Sequence, residues 1–110
     1  MPTEMTEPAR PTAEASAPLP DLILYGRDGC HLCDETRGIL AGLLAQRADA
    51  GLAVPRLVER DIAANPEWER AFLTTIPVVE LAGARLELAT GAARIRRLLD
   101  EGLGAVPARA

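Results

Sequence analysis

Leu22-Ile23-Leu24-Tyr25-Gly26-Arg27-Asp28-Gly29-Cys30-His31-Leu32-Cys33-Asp34-Glu35 is the stretch on which the fold turns. Leu22 to Tyr25 is a short continuous apolar run closed by Gly26, the pattern of a central strand buried on both faces. Arg27-Asp28-Gly29 reads as a loop. From His31 to about Ala48, apolar residues at Leu32, Ile39, Leu40, Leu43 and Leu44 follow the period of an amphipathic helix. Asp34 and Glu35 fall in its first turn, where the helix dipole favours anions. The chain's only two cysteines, Cys30 and Cys33, therefore stand between a strand and a helix. A Cys-x-x-Cys at such a junction is the wiring of a thiol–disulfide redox site. The free N–H groups and partial positive charge of the helix N-terminus stabilise a thiolate, and the thiolate is the species that attacks a disulfide.

Further along, Gly38 and Gly42 share a helix face. Each costs about 1 kcal/mol relative to Ala, which predicts close packing of that face against a sheet. Asp49-Ala50-Gly51 ends the helix. Ala53 to Asp61 reads as a second strand, and Pro55 makes it an edge strand or marks its first residues. Two strands joined by such a helix form a right-handed parallel βαβ unit. Asn65-Pro66-Glu67 is a helix start, with Asn as N-cap and Pro at the first helical position. Trp68 and Phe72 share that helix's buried face, and Thr74-Thr75-Ile76-Pro77 breaks it. Pro77 to Leu81 and Arg85 to Leu88 read as strands around a tight turn at Ala82-Gly83-Ala84, with Leu86 and Leu88 on one face. A last helix, capped by Thr90, carries Ile95, Leu98 and Leu99 on one side and stops at Gly102. The order βαβαββα predicts an α/β domain with a mixed four-stranded sheet and helices on both faces. Its first strand is interior, parallel to the second and antiparallel to the third.

A chain of 110 residues is one domain. Residues 1–20 hold Pro2, Pro8, Pro11, Pro18 and Pro20 and almost no large apolar residue, so they read as a disordered Pro/Ala-rich tail. Residues 21–102 form the domain, and 103–110 are expected to fray. The core is expected to be aliphatic, because Tyr25, Trp68 and Phe72 are the only aromatics. A net charge of −4 argues against nucleic acid or an anionic membrane as partner. The start has neither the basic residues nor the apolar stretch of a secretory signal. Two cysteines are too few for a disulfide-stapled secreted scaffold. Together these place the chain in a reducing cytoplasm, where a Cys pair serves catalysis or metal binding more often than structure.

Zinc needs four ligands, and Cys30, Cys33 and His31 leave one chain short of that set; no metal is expected. An iron–sulfur cluster bridging two chains would find four thiolates. A protonated His31 would stabilise a Cys30 thiolate, whereas Asp34 and Glu35 would oppose it by like-charge repulsion; His31 is the candidate pKa modulator. Arg27 reads either as an anion contact or as a solvated loop charge. Arg94, Arg96 and Arg97 read as a solvated helix face balanced by Asp100 and Glu101. Trp68 and Phe72 read as core, and Asp61 as a strand-end or turn carboxylate.

A strand-placed Cys-x-x-Cys with Thr75-Ile76-Pro77 before the third strand resembles the thioredoxin superfamily, in particular its small glutaredoxin-like proteins. Leu24 to Glu35 looks like the Gly-Cys-x-Leu-Cys signature of an uncharacterised glutaredoxin-like family, and the resemblance covers roughly Leu22 to Leu99. It implies a thioredoxin-like fold with Cys30 as the solvent-facing nucleophile and Cys33 as the more buried resolving thiol. It also implies a cis-proline at Pro77 facing the sulfurs, and Ile76 backbone groups that pair with an extended substrate segment. Arg27 matches a position that is often basic in glutaredoxins, where it contacts glutathione. Two features depart from glutaredoxins: Leu86 to Gly91 has no Gly-Gly pair, and Leu32 replaces an aromatic common inside the motif. The expected function is thiol–disulfide oxidoreduction on a disulfide-containing protein or a glutathione mixed disulfide. No cofactor is required, glutathione is a candidate reductant, and the chain is expected to be a monomer. The alternatives are a non-catalytic binding module of the same fold and a cluster carrier bridging a dimer.

Overall fold

The computed structural model describes residues 19–108. The seven main elements are β1 (Leu22–Gly26), α1 (His31–Asp49), β2 (Leu57–Asp61), α2 (Pro66–Phe72), β3 (Val78–Leu81), β4 (Ala84–Leu86) and α3 (Ala92–Leu103). The sheet order is β2-β1-β3-β4. β1 pairs parallel with β2 and antiparallel with β3, and β3 pairs antiparallel with β4. This is the mixed four-stranded α/β sheet read from the sequence, with β1 interior.

Alternation along β1 divides the core in two. Leu22 and Leu24 join Leu40 and Leu43 of α1, Val79 and Leu81 of β3, and Ile95, Leu99 and Leu103 of α3 in an aliphatic core. Tyr25 turns to the other face and packs with Ile62, Phe72 and Val78, flanked by Ile23, Trp68 and Ile76. So α1 and α3 cover one face and α2 the other. The second cluster gathers all three aromatics. Tyr25 lies 4.5 Å from the Phe72 ring and edge-on to Trp68 at 5.8 Å, so only the larger core is aliphatic.

Several local readings shift by a few residues, each for a physical reason. β2 begins at Leu57 and is an edge strand; Pro55 lies before it rather than inside it. Asn65 caps α2, its side chain accepting from the Glu67 N–H at 2.9 Å. The β3–β4 turn has two residues, Ala82 and Gly83, both at positive φ, the geometry that suits a two-residue hairpin. Leu88 does not alternate with Leu86: it leaves the strand at φ 47° with its side chain exposed. Thr90 does not cap α3. Gly91 occupies the N-cap, with no side-chain bond.

Gly102 does not stop α3 either. It sits inside the helix, where a Cβ would lie 2.7 Å from Leu81 Cδ2, and the helix ends at Gly104. Glycine there lets α3 lie close on β3. Gly38 and Gly42 face open space instead of the sheet, and Leu32 is exposed. The buried stripe of α1 is Cys33, Thr36, Leu40, Leu43 and Arg47.

Most of the expected N-terminal tail, residues 1–18, lies outside the described residues; Leu19 packs against the aliphatic core. The segment after α3, expected to fray, is tied down through residue 108. The Ala53 N–H donates to Val106 O at 2.7 Å, and the Ala108 N–H to Gly51 O at 2.9 Å. No helix among the described residues is long and apolar enough to cross a membrane.

Candidate active site

The loop Arg27–Gly29 carries the chain from the end of β1 to the start of α1, and Cys30 is the helix N-cap. Its backbone is extended (φ −93°, ψ 104°), and its Sγ accepts the Cys33 N–H at 3.1 Å. The Cys30 carbonyl accepts the Asp34 N–H at 3.1 Å, the first bond of the helix. Cysteine thus occupies the place of a Ser or Asp cap, with sulfur on one of the helix's orphan donors. Cys33, one turn in, is 0% exposed, while Cys30 is half-buried. The two sulfurs are bonded, with Cα atoms 5.2 Å apart, a separation ordinary for a disulfide. Gly26 makes room for this pair: a Cβ there would come within 3.2 Å of both Cys33 Cβ and Sγ.

The strand register brings Pro77 to the same edge. Tyr25 lies opposite Val78 in the β1–β3 ladder, so Pro77 falls opposite Gly26, the residue that abuts Cys33. The Ile76–Pro77 peptide is cis and Pro77 is fully buried. Ile76 is half-buried, and its N–H already donates to Phe72 O at 3.1 Å. Of the backbone groups expected to meet a substrate, this leaves the Ile76 carbonyl.

Arg27 is exposed and forms no ion pair with a described carboxylate. It lines a cleft of about 180 Å³ together with Gly26, Asp28, Arg37, Glu59 and Asp61. Arg37 donates to Glu59 of β2 at 2.8 Å and to Asp34, one turn back on its own helix, at 2.8 Å. These bonds, Glu59's first and Asp34's second, raise the Arg37 guanidinium pKa above its ordinary value. Asp34, expected to oppose the thiolate, is therefore ion-paired with Arg37. His31 is 86% exposed and its Nε2 lies 3.2 Å from Glu35 Oε2, one turn along the helix. His31 and Glu35, which the sequence reading weighs as opposing influences on the thiolate, are thus partners of each other.

Asp61 ends β2 and caps a short 3-10 turn, accepting the Ala63 N–H at 2.9 Å. Arg94 is more than a solvated charge: it donates to Leu88 O at 2.9 Å and Glu87 O at 3.1 Å. Thr36 and Arg60 are among the polar residues that periodicity and motif do not single out. Thr36 is 0% exposed and donates to Ala89 O at 2.6 Å. Arg60 donates to Tyr25 Oη at 3.0 Å and stacks over Trp68 at 5.3 Å. The signal for Thr36 was its spacing of three from Cys33 and four from Leu40, which a search for apolar residues passes over.

The sheet order, the helix layers and a Cys-x-x-Cys opposite a cis-proline define the thioredoxin-like fold. Within it, the chain belongs to the glutaredoxin-like domain family (DUF836), which it matches over residues 21–101. Among solved structures it is similar to target protein XcR50 from X. campestris, at 31% identity and a TM-score of 0.59. The match covers 73% of this chain and 96% of that one. It also shares the fold of protein Ne2328 from Nitrosomonas europaea, with a TM-score of 0.56 at 23% identity, covering 76% and 94% of the two chains. No protein of curated function matches it. Family and cysteine pair together support a redox function of thioredoxin type.

Proposed function

We propose that the chain is a dithiol–disulfide oxidoreductase. In the reduced protein the Cys30 thiolate attacks one sulfur of a substrate disulfide. The substrate S–S bond breaks, a Cys30–substrate disulfide forms, and the first substrate thiolate leaves. The Cys33 thiolate then attacks Cys30 Sγ and releases the second substrate thiolate. The substrate gains two electrons, and the pair is left oxidised as Cys30–Cys33. An external thiol, with glutathione the candidate, returns those electrons. The observation that carries this reading is the Cys33 N–H on Cys30 Sγ at 3.1 Å, at the N-terminus of a 19-residue helix. That placement stabilises a thiolate at the half-buried sulfur and keeps the resolving sulfur covered.

In this proposal the substrate is an extended segment beside the cis-proline, met by the Ile76 carbonyl, and Arg27 receives a carboxylate of the substrate or of the reducing thiol. His31 tunes the thiolate, more weakly than a free imidazolium would because Glu35 holds it. The protein acts as a cytoplasmic monomer on a disulfide-containing protein or a glutathione mixed disulfide.

The test is reduction of a protein disulfide and of a glutathione mixed disulfide by the wild type, Cys30→Ser and Cys33→Ser. The expected result is activity in the wild type and none in Cys30→Ser. A pH–rate profile for alkylation of reduced Cys30 should have its midpoint below the ordinary thiol value of about 8.5. A midpoint at that value, with no turnover on either substrate, would favour a binding module instead.

A further inference from the structure

Thr36 lies on the buried stripe of α1, one turn beyond Cys33, and its hydroxyl donates to Ala89 O at 2.6 Å. Ala89 is itself 0% exposed. The Ala89 N–H in turn donates to Pro77 O at 2.8 Å, and the neighbouring Leu88 N–H to Thr75 O at 2.9 Å. A single hydroxyl therefore links the helix that carries the cysteines to both ends of the Thr75–Pro77 loop, through the turn at 88–89. From α3, the Arg94 guanidinium holds the same turn by Leu88 O and Glu87 O. Leu88, in this turn, has a positive φ of 47°. A non-glycine residue keeps a positive φ only where its surroundings over-determine it.

The geometry points to Thr36 as a positioning residue: its hydroxyl sets the distance between the cysteine pair and the cis-proline loop on which an incoming disulfide segment is laid. The inference rests on the oxidoreductase reading for its consequence, though not for the bonds. A buried hydroxyl on an apolar stripe is disfavoured unless its bond is made. Valine has the same shape and would pack as well, so the packing of α1 does not by itself call for threonine. The bond at Ala89 O does. Without it the turn keeps its bonds to Thr75 and Pro77 and to Arg94 of α3, but it and the loop lose this hydroxyl reference to the helix that bears Cys30 and Cys33.

The experiment compares wild type, Thr36→Val and Thr36→Ser. Amide exchange on the folded proteins comes first. Thr36→Val is expected to speed exchange at the Leu88 and Ala89 amides roughly tenfold, the loss of one buried bond, while amides of β1 keep wild-type rates. Second, kcat/KM for a protein disulfide is expected to fall roughly tenfold, as suits a small misplacement of the substrate platform. The alkylation rate of reduced Cys30 and the Cys30–Cys33 reduction potential stay at wild-type values. Thr36→Ser restores both readouts. Unchanged exchange at Leu88 and Ala89 in Thr36→Val overturns the inference. So does a parallel loss of Cys30 alkylation, which would place the effect on the helix and its sulfur. If the wild type reduces no disulfide, the oxidoreductase reading fails while the exchange result still decides the link.

Discussion

The two ends of the buried stripe of α1 carry polar groups with different partners. Near the N-terminus Cys33 and Thr36 are both fully buried, the sulfur bonded to Cys30 and the hydroxyl to Ala89 O. Near the C-terminus Arg47 is only 6% exposed. Its Nε donates to Ala53 O and its Nη2 to Gly104 O, each at 3.1 Å, and Asp100 lies 3.8 Å from Nη1. One helix face, at one period, thus holds a neutral pair of groups beside the reactive loop and a permanent charge at the opposite pole. The first end bonds to the turn that itself bonds Thr75 and Pro77, the contact on which the positioning proposal rests. The second ties the α1–β2 connection to the end of α3. Burial follows from position in the stripe, whereas role follows from what the group touches.

The sharpest way to break this comparison is Cys30→Ser. Disulfide turnover should disappear altogether. Serine is a good N-cap, so the unfolding free energy of the reduced variant in urea should match that of the reduced wild type to within about 0.5 kcal/mol. A reduced variant that is markedly less stable would show that the N-terminal end of the stripe is structural after all. Cys33→Ser completes the test from the buried side: the first exchange step survives, and the substrate should accumulate as a disulfide-linked adduct visible on a non-reducing gel.

Arg47→Met should reverse that pattern. The methionine fills much of the volume, but the carbonyls of Ala53 and Gly104 lose their donor, a loss of about 2–3 kcal/mol. Denaturant unfolding should report it, together with faster amide exchange at Ala53 and Ala108. Alkylation of reduced Cys30 should proceed at the wild-type rate. If that rate changes, the two ends of α1 are coupled and the contrast between them is lost.

The fold was legible where chemistry and period agree. Leu22 to Gly26 reads as a buried strand because every side chain is apolar on both faces, and Asn65-Pro66 announces a helix because cap and first residue act locally. Legibility failed where a tertiary contact overrides composition. Leu32 looks like part of an apolar stripe, yet the true stripe contains Thr36 and Arg47, whose polar ends are satisfied by carbonyls 53 and 57 positions away. Gly102 looks like a stop signal, yet it answers to Leu81 across the core. At the site, Cys30, Cys33 and Pro77 were readable from spacing and resemblance. The pairing of His31 with Glu35 and the engagement of the Ile76 N–H with Phe72 were not, because each depends on where a side chain or loop finally points.

Gly26→Ala probes the seam between the first end of the stripe and the strand beside it. The new methyl would meet Cys33 Cβ and Sγ at 3.2 Å, close enough that helix or strand must shift by a few tenths of an ångström. Overpacking of this size should cost about 1 kcal/mol, seen as a lowered urea midpoint in the reduced protein. A wild-type midpoint would mean that the helix start yields freely, and that Gly26 is not what seats Cys33 against β1.

The smallest effect belongs to a pair outside both ends. Arg56 donates to both carboxylate oxygens of Asp21, at 2.9 and 3.3 Å, where the chain enters β1. That hydrogen bond, aided by charge attraction, holds the Asp21 carboxyl below its ordinary pKa. The sign follows from linkage: a group with a depressed folded pKa contributes stability above its unfolded pKa, and the contribution fades as pH falls through the folded value. Asp21→Asn should therefore be slightly less stable than wild type at pH 7. The difference should close as pH falls below about 4 and shrink in high salt, because the pair is exposed. Neither Cys30 alkylation nor the protection of Ala53 should move in this variant. A difference that persists at pH 2 would show that Asp21 acts through uncharged contacts, and that the entry to β1 is tied in by packing, with Leu19 the residue to test next.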